Sequence, residues 1–552
     1  MEAISFLQKR GKDIKNTVVV YPFTYINPHN ALPPIAAEYL QAGILETGRN
    51  AILLDMRYEI DIKDHLETAD LVCLYGHFED CSMFVKQNIH VINEVLDQIP
   101  PQTPIVAGGT NFNDPEKAFA LFPKVDVIIL ENPETCIMEL LDGEQFEAVD
   151  NIAYRKNGKV IKTKHVIKAL PETIYPRRSF RNPNYKYHAA GIKIDLVRAG
   201  MGCNYKCKFC YQYGKDFDGS FRRWQGRSAQ SLFNEIKEIE APIIGWVDDD
   251  MTAGMKALDE ISDLLLENKI QKLFGGTGRI DHVNKYIEKK SIDVLKKMEK
   301  AGFLALSFGV ESLNQKTLEF YGKGLTIESI EKAMRLMNQT NILLICNFIF
   351  GSPGETEQDM MDMLRFGRKW NVDTIVTNRM GFPEGSEIYN AIYHPETGQF
   401  RPGMEMITGD ELARIKYTVK FAQRTPFRII LSLLKLYRHR GMFLDPLYIL
   451  CCALETMTKH SWLEKTRVFP FFLKMTKRIV VLPVIRSIFR ILAVVITPPV
   501  RFINWIFEHI DRWLGISTSL LPKFFLYLQN GLYKRQVAHS QVRQVIANED
   551  NK

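Results

Sequence analysis

The chain has 552 residues, 46 % hydrophobic and 24 % charged, ordinary for a folded protein with a sizeable core and long enough for three or four domains. Its net charge of +7 is mild and does not by itself indicate a nucleic-acid partner. No run of about 18 uncharged apolar residues suggests a membrane span. Nine mostly scattered cysteines, and a start at Met1-Glu2-Ala3-Ile4 that leads into a charged stretch without a signal pattern, make a reducing cytoplasm the expected setting.

In chain order, residues 1–16 read as a lead-in. Apolar runs at Thr17–Pro22, Ala51–Asp55, Asp70–Gly76, Pro104–Thr110 and Val125–Leu130 then predict five buried strands. Helical patterns separate them, the first over 33–47 with Gly48 as its stop. Alternating strands and helices predict a doubly wound parallel sheet, whose ligands sit beyond the strand C-termini. The loops at Gly76-His77, Gly108-Gly109-Thr110 and Glu131–Glu134 therefore border one candidate pocket, unless they are only tight turns. Residues 152–161 predict a hairpin on Asn157-Gly158. A Pro/Arg/Asn/Tyr-rich stretch to residue 190 reads as a linker, giving domains at 1–165 and 191–400 joined by 166–190.

From 191 to 400, strands are predicted at Lys193–Arg198, Ile243–Val247, Leu273–Thr277, Leu304–Gly309, Leu343–Phe350 and Thr374–Thr377. Six βα units make a partial TIM-type barrel with its active site at the strand C-termini. Cys203, Cys207 and Cys210 follow the first of these strands, in the pattern C-x3-C-x2-C. A structural zinc site wants four ligands, and no second knuckle or nearby His completes a set. Three thiols on one loop suit a four-iron ([4Fe–4S]) cluster with one iron left open. Three unrelated thiols, or an incomplete zinc site in a structural protein, are the alternatives. Polar groups crowd the other strand ends: Asp248-Asp249-Asp250, Arg279 and Asp281, Glu311-Ser312, and Gly351–Thr356. Any single carboxylate there could equally be a helix cap or a surface charge.

The cysteine motif, with Phe209 just before its third Cys, resembles the radical S-adenosylmethionine (SAM) superfamily. The resemblance implies that the open iron binds SAM and that an electron cleaves it to methionine and a 5′-deoxyadenosyl radical. It implies SAM contacts at Phe209, Asp249, Arg279, Glu311, Ser312, Ile349 and Gly351. Leu32-Pro33-Pro34, Gly108-Gly109 and Glu131…Glu134 make the first domain similar to the cobalamin-binding domain of the B12-dependent class. This implies cobalamin contacts at Gly76, His77, Gly108, Gly109, Thr110 and Glu131. The D-x-H-x-x-G motif that supplies a cobalt ligand in other B12 proteins is absent, since Asp64 and His65 are adjacent. That leaves open cobalamin without a His ligand, or a domain that binds nothing.

The implied function is radical-dependent methyl transfer to an unactivated carbon, with oxidative cyclisation as the alternative. A small-molecule substrate and a reductant such as flavodoxin or ferredoxin follow from either. Residues 401–537 show long helical patterns with interleaved aromatic and basic residues: from Phe471 to Arg535 there are ten Lys/Arg against Glu508 and Asp511. Such helices either lie in an anionic membrane interface, on the inner face of the membrane, or bury their apolar side as a cap on the barrel. The apolar content argues against nucleic acid, and a lipophilic substrate is the natural companion of this region. The tail 538–552 is polar and is expected to be disordered.

Overall fold

The computed structural model describes residues 13–24, 30–76, 85–166, 168–210, 223–379, 387–394, 396–422, 426–458, 468–480 and 483–514. The tail 538–552 and His77 lie outside them, as do the side chains of Arg486, Trp505 and Phe507.

The short valine- and isoleucine-rich runs pair as parallel strands: β1 (Asn16–Tyr21) lies between β3 (Asn50–Asp55) and β4 (Leu71–Gly76), and β5 (Ile105–Gly109) and β6 (Val127–Ile129) follow. Alternate side chains go to opposite faces. Val19 packs with Leu40, Ile44 and Ile137, while Val18 and Val20 pack with Leu66, Ile92 and Phe122. Burial on both faces explains why these strands read as continuous apolar runs. The hairpin β7 (Ile152–Lys156) and β8 (Lys159–Lys162) adds two antiparallel strands, turning at Asn157 and Gly158 with φ of 52° and 76°. Helix Ile35–Glu46 packs closely on helix Pro133–Leu141, because a Cβ at Gly43 would come within 2.3 Å of the Glu134 carbonyl oxygen.

The second sheet holds six parallel strands in sequence order: β10 (Ile192–Val197), β13 (Ile243–Trp246), β14 (Leu273–Gly278), β15 (Phe303–Glu311), β16 (Leu343–Phe350) and β17 (Thr374–Arg379). Helices cover one side. Their apolar faces bury Ile244, Trp246, Phe274, Phe308, Phe348 and Ile375. Two short strands not apparent in the sequence extend the other edge: β9 (His188–Ala189) and β2 (Asn30–Ala31), the latter reaching across from the first domain.

Residues 166–190, read as a linker, supply much of a buried charge network between the two sheets. Arg181 donates to both oxygens of Glu38, at 2.6 and 2.8 Å, and to both oxygens of Asp195, at 2.6 and 2.8 Å. Arg178 and Arg227 both bond Glu235. Burial opposes ionisation of Asp195, but the bonds and charge of Arg181 hold its pKa below the usual carboxylate range. Ser228 is the N-cap of helix Ala229–Glu238, as its position suggests, whereas Arg227 is a member of this network and not a cap.

Beyond the barrel come helices Gly409–Ala422, Pro426–Arg438, Pro446–Thr458, Val468–Val480 and Pro483–Leu514. The last packs on Pro426–Arg438, with Tyr437 and Phe489 stacked at 5.3 Å. The intervening loop is pinned beneath the barrel: a ring nitrogen of His439 bonds the Phe303 carbonyl at 2.8 Å, and a Cβ at Gly441 would meet the Glu299 carbonyl at 2.4 Å.

Candidate active site at the barrel mouth

The loop after β10 carries the three thiols. It begins with the pair β11 (Gly200–Met201) and β12 (Gln225–Gly226), whose glycines leave room for Trp224: Cβ atoms there would lie 2.6 and 2.2 Å from its ring. Gly202, at φ 80°, turns the chain into Cys203. The loop is then tied down from two sides. Lys208 N–H donates to the Tyr321 carbonyl at 2.9 Å, and Cys210 N–H donates to the Cys207 carbonyl at 2.9 Å. Cys207 is buried, Cys203 and Cys210 are half-buried, and none of the three is in a disulfide. Burial pushes the Cys203 thiol up to about 11, so ionisation there needs a positive partner.

Arg279 anchors this loop from β14. Its Nη1 lies 3.5 Å from Cys207 Sγ, its Nε bonds Asp281 at 3.0 Å, and its Nη2 bonds the Lys323 carbonyl at 2.6 Å. Its guanidinium covers the ring of Tyr205, whose hydroxyl bonds Asp281. Among the described residues no three His, Cys, Asp or Glu side chains converge on one ion position. Ligands of a four-iron cluster bind separate irons and stand further apart. Three thiols on a pinned, partly buried loop beside a guanidinium fit that group.

The barrel interior is open. Along the strands the residues facing the helices are buried, while the alternate residues are half-exposed and several of them small, among them Gly245, Gly275, Ala305, Ser307 and Gly309. A closed TIM barrel fills this space with branched side chains; here many of these positions carry glycine, alanine or serine instead. Asn347 Nδ2 bonds Ser307 Oγ at 2.7 Å.

The expected site residues divide by position. Phe209 packs edge-on to Tyr321 at 5.2 Å, with Lys323 Nζ 5.6 Å from its ring centre. Glu311 is buried at φ 68°, a strained setting for a side chain of its size, and Lys323 Nζ bonds its Oε1 at 3.0 Å. A Cβ at Gly309 would occupy the space of that ion pair. Ile349 lies in the apolar cluster around Tyr321, and Gly351 turns at φ 78°. Ser312 is fully buried, and its hydroxyl accepts from Asn314 N–H at 3.1 Å. Asp249 is exposed, whereas Asp248 and Asp250 are buried.

Lys323 was missed in the sequence. Its signal was Gly322-Lys323-Gly324, whose glycines turn at φ 62° and 68°. His282, 3.0 Å from Asp250, was also missed.

In the first domain, Gly76, Gly108 and Gly109 sit together at the ends of β4 and β5, and Glu131 and Thr110 are half-exposed beside them. The glycines are required by their neighbours. Cβ atoms would meet the Tyr21 and Phe23 rings at 2.7 Å, the Tyr75 ring at 2.2 Å and the Gly76 carbonyl at 2.1 Å. This edge faces the cysteine loop: Asn132, after β6, bonds Met201 Sδ at 3.4 Å, two residues before Cys203.

Ala199 N–H donates to Asp248 at 2.7 Å, yet burial lifts the Asp248 pKa to about 7. The unfolded chain loses that proton near about pH 4. Between about pH 4 and 7 the folded state therefore holds more protons, and stability falls as pH rises, by at most about 1.4 kcal/mol per pH unit. Asp248→Asn keeps an oxygen for Ala199 N–H and is expected to flatten that slope in urea titrations. An unchanged slope would assign the titration to another group.

Residues 197–367 match the family described as the Radical SAM superfamily. A protein named as an uncharacterized methyltransferase from Pyrococcus horikoshii is 25 % identical over 366 residues, 62 % of this chain and 74 % of that protein. An anaerobic magnesium-protoporphyrin IX monomethyl ester cyclase from Synechocystis sp. is 22 % identical over 371 residues, 63 % of this chain and 71 % of the cyclase. The structure of TsrM, a radical SAM methyltransferase from Kitasatospora setae with cobalamin and a [4Fe–4S] cluster bound, superposes with a TM-score of 0.59 at 13 % identity, covering 84 % of this chain and 99 % of TsrM. Residues 197–367, with three thiols at the barrel mouth, therefore form a radical SAM domain, and the chain is an enzyme built around it with the overall fold of TsrM.

Proposed function

We propose that this enzyme is a cobalamin-dependent radical SAM methyltransferase acting on an unactivated carbon of a small, lipophilic molecule. The observation that carries this reading is that two strand-end edges meet at the cysteine loop. The small-residue interior of the barrel opens at the cysteine loop, and the glycine-bearing edge of the first sheet meets that loop through Asn132 and Met201. A radical generated at one edge and a methyl carrier at the other would share one substrate.

When bound, the cluster, SAM and cobalamin would supply one-electron cleavage of SAM and a transferable methyl group. The chain's own residues do the rest. Cys203, Cys207 and Cys210 hold the cluster, and Arg279 keeps their loop in place while setting positive charge beside Cys207. Phe209, Glu311 with Lys323, Asp249, Ile349 and Gly351 border the SAM position. Gly76, Gly108, Gly109, Thr110 and Glu131 border the cobalamin position. Val247, Ile345 and Val376, half-exposed on the inner face, suit an apolar substrate and exclude water from it. A one-electron reductant such as flavodoxin or ferredoxin completes the system, and cysteines held in no disulfide suit a reducing compartment.

The similarity to the cyclase supports a second reading, oxidative ring closure without methyl transfer. The test is anaerobic. The protein is reconstituted with iron, sulfide and hydroxocobalamin, then assayed with methyl-labelled SAM and candidate isoprenoid or tetrapyrrole acceptors. Stoichiometric cobalt and labelled product are expected. Cluster and 5′-deoxyadenosine without cobalt or label would overturn methyl transfer in favour of the cyclase reading.

A further inference from the structure

The underside of the barrel, opposite the cysteine loop, carries two basic cavities. The first, about 300 Å³, is lined by Arg368, Arg428, Lys435, Arg438 and Arg501, with one carboxylate, Asp373, among its described lining residues. Asp373 is already committed: it accepts from Lys435 Nζ at 2.7 Å, Ser432 Oγ at 2.8 Å and Leu344 N–H at 2.9 Å. Burial and the charge of neighbouring Arg501 both hold the Arg438 pKa below its usual value, with Glu299 acting the other way. Glu299 is itself bonded by the Asn341 and Arg440 N–H groups. The second cavity, about 520 Å³, is lined by Lys269, Lys272, Lys300, Arg440 and Arg490, with no carboxylate among its described lining residues. Like charges gathered in this way repel one another and favour anions, and guanidinium groups match phosphate oxygens in geometry.

The helix that lines both cavities through Arg490 and Arg501, and the Val468–Val480 helix packed on it, expose apolar side chains. On Val468–Val480, Phe471 and Phe472 are more than half exposed, as are Ile491, Val494, Val495 and Phe502 on Pro483–Leu514. Arg490 and Arg501, on the cavity linings, directly precede the exposed Ile491 and Phe502 on the same helix, so cations border the apolar strip. Among the described residues no helix is long and apolar enough to cross a membrane. An apolar strip with a basic rim is the pattern of a helix lying in an anionic lipid interface.

We propose that the underside of the barrel, with its two C-terminal helices, is a docking surface for an anionic phospholipid membrane. The basic cavities take headgroup phosphates, and the apolar strip enters the acyl boundary. This goes beyond methyl transfer and stands independently of it.

The test uses the full reconstituted chain in flotation with vesicles of phosphatidylcholine alone or mixed with phosphatidylglycerol. Binding to the mixed vesicles is expected to be at least tenfold tighter and to weaken with salt. The double variants Arg438→Gln/Arg501→Gln and Phe471→Ser/Phe472→Ser are each expected to lower it at least tenfold, with cluster absorbance and urea midpoint unchanged. Equal binding to both vesicle types, or binding undiminished by both variants, would overturn the proposal. Stabilisation of the wild type by inorganic phosphate without vesicle binding would also overturn it, assigning the cavities to a soluble phosphate ester. Concentration-dependent dimerisation without vesicle binding would assign the apolar strip to a second copy of the chain.

Discussion

Replacing Cys203, Cys207 and Cys210 together by alanine is expected to remove iron and to lower SAM cleavage by at least about a thousandfold, more than the loss of any outer-shell group. The loop itself should survive. Apart from the Arg279 contact on Cys207 Sγ, its anchors are backbone bonds from Lys208 and Cys210 and the packing of Trp224 on Gly200 and Gly226, which use no thiol. Far-UV circular dichroism should therefore match the wild type, while iron and sulfide content falls to background. Arg279 acts one step removed. Arg279→Gln deletes the charge beside Cys207 and the bonds to Asp281 and the Lys323 carbonyl, and should cost about 10–100-fold, the range of outer-shell partners. Part of that loss should appear as a shifted cluster potential, which a purely structural role would leave unmoved. A triple cysteine variant that keeps its iron would sink the assignment of the site.

The second large effect lies between the domains. Arg181 is the shared partner of Glu38, on a helix of the first domain, and Asp195, on β10 of the barrel. Arg181→Met would leave two carboxylates buried, each under 6 % exposed, Glu38 without its bidentate counter-charge and Asp195 with only Arg178, 3.5 Å away. Removing one partner of a buried ion pair typically costs about 3–5 kcal/mol, because the remaining charge has lost its water and gained nothing. A drop of that size in unfolding free energy is expected, with the two sheets unfolding at more widely separated urea concentrations than in the wild type. Restoring neutrality with Glu38→Gln and Asp195→Asn in the same chain should recover most of it. An unchanged urea midpoint for Arg181→Met would falsify the idea that this network locks the two sheets together.

Much of the fold was legible because it is written in local patterns. Each parallel strand buried on both faces needs an apolar run, and the runs at 17–22, 51–55, 70–76 and 343–350 became strands within a residue or two of their expected bounds. The Asn157-Gly158 turn is local for the same reason, since its two residues must both reach positive φ. The cysteine trio could be read because its ligands share one loop, where spacing in sequence is spacing in space. By contrast, β2 and β9 are two residues each and carry no periodicity.

What the sequence by itself determined is the order of the strands, the barrel, the cysteine loop and the basic, apolar character of the C-terminal helices. Tertiary structure decided the partners. Glu38 and Arg181 are 143 residues apart, and Lys323 reaches Glu311 only because two positive-φ glycines fold it back. The C-terminal helices show this most clearly. Their amphipathic pattern was equally compatible with a cap on the barrel and a surface in lipid. A periodic stripe records that one face is apolar, not what covers it. In the folded chain Phe489 packs against Tyr437, while Ile491, Val494 and Phe502 face outward. Long-range charge pairing and the choice of covered face depend on how whole elements stack, a property that no local stretch of sequence contains.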